Sequence, residues 1–228
     1  RAQEDLLETY LSLWVDPDLG CHLDDYFGSV PDSKLAIVYN ADAVDGSNGS
    51  DCEGNVPTYG NNPPMLGIKT LNGPIHKGED VGFSSFLYFS PDIPINNPGT
   101  AVEYYHLMRG NWGIPITYGG TGYNPGSTDT VHHVFSDPPN DPNGWSMCTE
   151  NMIPYDWRFL INAGPFDLPA SGGETFISYA VIWQETANYP CPGFDEMIEM
   201  SEEVENYYKE FTNAKELFLA ASEISVSP

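Results

Sequence analysis

The chain has 228 residues, of which 33 are Asp or Glu and eight are Lys or Arg, for a net charge of −25. That charge repels phosphate backbones and anionic headgroups, which sets aside nucleic acid and anionic membrane surfaces as partners. Apolar residues make up 40% and aromatics 13%, enough for a packed core, and no run approaches the roughly 18 apolar residues of a membrane span.

Taken in chain order, residues 2–14 place Leu6, Leu7, Tyr10, Leu11 and Trp14 at a spacing that suits either a short amphipathic helix or a strand entering the core. Residues 15–33 are acidic and turn-rich, and LAIVYN at 35–40 has the pattern of a buried strand. Residues 41–64 form a long stretch of Asp, Asn, Gly and Pro, too long for an unsupported loop in a compact domain unless a metal or a disulfide holds it. VGFSSFLYFS at 81–90 has the alternation of a central strand, and AVEYYHLMR at 101–109 suits a strand or a short helix. Residues 110–151 are again turn-rich, while WRFLINAG at 157–164 and ETFISYAVIWQ at 174–184 predict two further strands. From Asp195 to Ser222 Gly and Pro vanish, and Met197, Met200, Val204, Tyr207, Tyr208, Phe211, Leu217 and Phe218 recur at helical spacing, which predicts one helix of about 20 to 28 residues. Many short strands followed by a terminal helix point to a mainly β fold: an antiparallel, jelly-roll-like β-sandwich over 1–192 with long acidic loops, and a C-terminal helix within 193–228 packed on it as part of one domain.

The four cysteines, Cys21, Cys52, Cys148 and Cys191, form no CxxC pair and have no zinc-knuckle or haem spacing. An even number without metal spacing suits two disulfides in an oxidising compartment. Of the three possible connectivities, Cys21–Cys52 with Cys148–Cys191 is favoured, because each bridge would staple a loop-rich region.

Two acidic clusters carry the main chemical signal. In WVDPDLGCHLDDY, Asp16, Asp18, Asp24 and Asp25 surround Gly20. In YNADAVDGSNGSD, Asn40, Asp42, Asp45, Asn48 and Asp51 are interleaved with Gly46 and Gly49. Calcium takes six to eight hard oxygens from carboxylates, amides and main-chain carbonyls on a flexible backbone, so Asp16, Asp18, Asp24, Asp25, Asn40, Asp42 and Asp45 are the candidate ligands, in one shared site or two. The segment is not an EF-hand, since Phe27 stands where the closing Glu would be needed. A weaker cluster, SDPPNDPNGW, offers Asp137, Asn140, Asp141 and Asn143, which suit ordinary turns at least as well.

Signals for catalysis are sparse. HExxH and GxSxG are absent, and the adjacent His132 and His133 would face opposite sides of a strand. Asp156 and Arg158 suit a structural ion pair, and GGTGY at 119–123 lacks the setting of a nucleotide loop. Asn48 lies in an N-glycosylation sequon, and Asp129-Thr130-Val131 resembles a bacterial O-glycosylation acceptor at Thr130. Tyr104, Tyr105, Trp112, Tyr118, Tyr123 and Trp145 could stack on sugars if exposed, although packing is their commoner use.

The run WVDPDLG…LDDYFGS, then LAIVYNAD, YGNNPPMLGIKTLNGP, EYYHLMRGNWGIPITYGGTGYNPGSTD, FSDPPNDPNGWSMCTE and YDWRFLINAGPFDLPASGGETFISYAVIWQ, resembles a module that recurs in very large surface proteins exported by the bacterial type IX secretion system. The resemblance spans nearly the whole chain, with departures at Ser29, where a Cys is typical, and at Tyr155–Arg158, where an Asp-Arg-Arg run is typical. It implies secretion to the cell surface or medium, a β-sandwich, and a structural or adhesive role with no carried-over catalytic residue. The expectation is therefore a calcium-stabilised extracellular module, not an enzyme, whose expected partners are other chains or domains of the same surface assembly, with glycans as a further candidate. A carbohydrate-binding accessory domain and an acid/base hydrolase are the alternatives.

Overall fold

A computed structural model describes residues 4–46, 52, 57–90, 97–112, 122–123, 127–185 and 188–222, with side chains up to residue 213. Its strands are β1 (Leu6–Val15), β2 (Asp25–Val30), β3 (Leu35–Asn40), β4 (Val44–Asp45), β5 (Gly60–Asn61), β6 (Pro64–Asn72), β7 (Ile75–His76), β8 (Glu79–Asp80), β9 (Ser85–Phe89), β10 (Arg158–Leu168) and β11 (Ser178–Glu185). Two α-helices complete it, α1 (Ala101–Met108) and α2 (Asp195–Ser222). One antiparallel sheet has the order β1-β10-β9 and the other β11-β6-β3-β2; β4–β5 and β7–β8 are small separate ladders. The fold is thus mainly β, a sandwich closed by a C-terminal helix, as the strand pattern predicted.

Phe27 of β2 fills the space between the sheets. Its ring lies 5.7 Å from Phe86 and 5.3 Å from Tyr88 on β9, 5.6 Å from Phe159 on β10, and 5.6 Å from Phe135 in a loop. These edge-to-face and tilted contacts are the preferred geometry of aromatic pairs.

β3 is buried along its whole length because both of its faces are covered. Its other face meets α2. Tyr39 packs 5.7 Å from Phe194, the buried Lys69 of β6 pairs with Glu205 at 2.6 Å, and Gln184 of β11 donates to Glu196 at 2.7 Å. Gly67 on β6 makes room for Met197, since a Cβ there would come within 2.6 Å of its sulfur.

On the outer face of the three-stranded sheet sits α1. It is started by a capping box in which Thr100 and Glu103 satisfy each other's backbone N–H. The fully buried Asn162 of β10 donates to Ser85 Oγ at 2.9 Å and to the Leu107 carbonyl at 3.3 Å, and it accepts from Ser12 Oγ at 2.7 Å. One amide therefore ties β1, β9, β10 and α1 together. Both expected disulfides are present, with Cα separations of 6.0 Å for Cys148–Cys191 and 5.5 Å for Cys21–Cys52, within the normal range. They fit an oxidising, extracellular-type environment. No described helix is long and apolar enough to cross a membrane.

Candidate metal site and the acidic hub

β1 ends at Val15, and the next residues turn through Asp16-Pro17-Asp18. Asp18 adopts a positive φ of 30°, a conformation that Asp tolerates better than bulky residues. On the neighbouring strand β10 begins at Arg158, paired through Phe159 with Val15. This pairing brings Asp16, Asp18 and Asp156 together, with one oxygen from each within 4.8 Å of the others; no other trio of acids, His or Cys among the described residues does so.

Arg158 lies against this group, 2.9 Å from Asp16 Oδ2 and 3.3 Å from Asp156 Oδ2, with its guanidinium 5.8 Å from the Trp14 ring centre. Each of those two carboxylates thus spends one oxygen on the guanidinium. The other oxygens, Asp16 Oδ1 and Asp156 Oδ1, are buried and make no hydrogen bond. Burial pushes the Asp156 carboxyl up; Arg158 opposes this, and Asp16 and Asp18 add to it. One cation facing three carboxylates leaves a deficit of positive charge. The free oxygens fit what a hard cation requires, and the rest of a calcium shell would come from main-chain carbonyls and water.

The remaining predicted ligands lie in a second group. Asp24, Asp25, Asn40 and Asp45 are all at most 3% exposed, and their side chains mostly hold backbone. Asp24 accepts from Gly46 N at 2.7 Å and Asn40 Nδ2 at 2.9 Å. Asp25 Oδ2 accepts from Leu19 N at 2.8 Å. Asp45 takes the N–H of Cys21 at 2.8 Å and that of Tyr59. Asn40 Oδ1 accepts from Asp42 N at 3.0 Å, and Asp42 Oδ1 from Val44 N at 2.8 Å. Gly20 is required here: its φ is +79°, and a Cβ would lie 1.9 Å from Asp45 Oδ2.

No ion pair among the described residues reaches Asp24, Asp25 or Asp45. Burial accordingly raises the Asp24 pKa to about 6 and lifts that of Asp25 well above its ordinary value, and the negative charge of neighbouring acids, Asp45 among them, adds to both shifts. Asp25 Oδ1 is buried without a hydrogen bond. The hub spans the two sequence clusters, while Asp16 and Asp18 converge elsewhere.

Asp137 and Asp141 cap turns, accepting from Trp145 N at 2.7 Å and Asn143 N at 2.9 Å respectively, and they join no metal-like trio. Asn140 packs against Gly193. Thr130 is exposed in a segment without regular structure, while Asn48 and Asp51 fall outside the described residues. His133 stacks on Phe83 at 5.2 Å and bonds to that residue's carbonyl, whereas the His132 ring packs by Gly110.

The mid-chain aromatics chosen for sugar stacking are largely consumed by packing. Tyr88, Trp112, Tyr123 and Trp145 form a chain of edge-to-face rings 5.1 to 5.6 Å apart, and Trp112 is 1% exposed. Tyr104 and Tyr105 are exposed, and Tyr118 lies outside the described residues.

The sequence gives Asp156 only an ion pair with Arg158, and that pair is present. The signal that places it beside Asp16 and Asp18 is register: the residues just before β10 must lie beside the residues just after β1. Comparison of the chain with protein-family models, with curated proteins and with solved structures returns no match.

Proposed function

We propose that the chain is an extracellular structural module of a larger surface assembly, and that a calcium ion held by Asp16, Asp18 and Asp156 fastens the end of β1 to the start of β10. The observation that carries this reading is the pair of buried, unbonded oxygens, Asp16 Oδ1 and Asp156 Oδ1, in the same trio as Asp18. Leaving such oxygens buried and unpaired costs about 1–3 kcal/mol each, and a cation removes that cost. A strongly acidic surface and two disulfides support the extracellular, structural part of the reading. Its partners are neighbouring modules or chains of the same assembly, with calcium bridging inside the module, not between modules.

The test is thermal melting in calcium and in EDTA. An ion bound at a hundredfold excess over its Kd should raise Tm by on the order of 5–10 °C, and Asp16→Asn with Asp156→Asn should abolish the difference. A melting temperature indifferent to EDTA in the unmodified chain would sink the proposal.

A further inference from the structure

The face of β11 opposite α2 is only partly covered. Ile182 and Gln184 turn toward the helix side and are buried, so Val181, Trp183 and Glu185 turn the other way. Val181 is 70% and Trp183 47% exposed, and beside Trp183, at 5.4 Å and tilted by 56°, stands Tyr59, 49% exposed.

Both rings stand on fixed backbone. Trp183 is in the β11–β6 ladder opposite Leu66. The Tyr59 N–H is held by Asp45, and the next residue, Gly60, pairs with Asp45 in the β4–β5 ladder. Part of the acidic hub thus serves to hold Tyr59 against Trp183. Two large rings kept half in water on rigid supports form a pre-organised aromatic surface, with the exposed Asn61 and Glu185 nearby as hydrogen-bonding groups.

We propose that Trp183 and Tyr59 form a stacking site for a neutral oligosaccharide. A pyranose ring offers apolar C–H faces to the aromatics and hydroxyls to Asn61 and Glu185. No Lys or Arg occurs in residues 57–61 or in β11, so nothing there compensates a phosphate, sulfate or uronate on a chain carrying −25. The same charge opposes a second copy as the occupant. The inference is independent of the metal proposal.

The experiment titrates cellohexaose, xylohexaose, mannohexaose, laminarihexaose and N-acetylchitohexaose into the whole chain by calorimetry, with an alginate hexamer as the anionic control. At least one neutral probe should bind and alginate should not; Trp183→Ala and Tyr59→Ala should each weaken binding by roughly tenfold at an unchanged Tm. Asp156→Asn should leave sugar affinity intact, so that failure of the metal reading and failure of this one are separable. The proposal is overturned if no neutral probe binds at millimolar concentration, if binding survives both ring substitutions, or if sedimentation shows that the rings instead mediate self-association.

Discussion

Burial pushes the Asp24 carboxyl up to about 6 in the folded chain, against an ordinary 3.8. Between those two values the folded state holds a proton that the unfolded state has released, so stability falls as pH rises through this window and stays low above it. Metal-free protein should therefore melt at higher temperature near pH 5 than near pH 7. Asp24→Asn should flatten that part of the profile, which a set of melts across the window checks directly. Gly20→Ala should cost roughly 2–4 kcal/mol, because it combines a positive φ with a clash against a buried carboxylate, and urea unfolding would measure it. At this scale the acidic clusters were legible as sites of concentrated oxygen. Their division into a cation-type trio and a hydrogen-bonded hub was not, because it depends on which backbone N–H groups the fold delivers to each carboxylate. Asp45 is the clearest case: in sequence it looks like a ligand, and in the structure it braces Cys21 and Tyr59.

Among the elements, α2 and the strands β3, β9, β10 and β11 were visible in the amino-acid pattern, since apolar runs and helical spacing survive without knowledge of contacts. β2 was hidden, because DYFGSV begins with an acid that the hub buries and includes a glycine opposite Ile37. The amino-acid pattern does not show β6, because Gly67 and Lys69 break its apolar run; both face α2, where Gly67 admits Met197 and Lys69 finds Glu205. The spacing of β1 and α1 suits strand and helix alike; pairing with β10 makes the first a strand, and the Thr100–Glu103 capping box starts the second as a helix. Met197→Ala should cost about 2–4 kcal/mol by opening a cavity beneath the helix, read by chemical denaturation. Thr100→Ala should cost only about 1 kcal/mol, since it removes a single exposed cap.

For the molecule as a whole, the two disulfides close stretches of 31 and 43 residues. Chain-entropy reasoning assigns each about 4 kcal/mol of stabilisation. Replacing Cys148 and Cys191 together by Ser should lower unfolding free energy by about that amount, and the Cys21 and Cys52 pair similarly; denaturation under oxidising conditions tests both. The sandwich as a class was legible from strands, turns and the terminal helix. Its strand order was not, since β1 finds its partner far along the chain.

That pairing sets the timing of assembly. Leu6 lies opposite Leu168 and Val15 opposite Phe159, so β1 has no strand partner until the residues from Arg158 onward have been made. Nascent chains must therefore leave β1 unpaired, and native structure arrives late and together, at the slow pace of topologies dominated by distant contacts, about milliseconds to seconds. Fragments ending before Arg158 should leave β1 open to proteases, while the intact chain protects it.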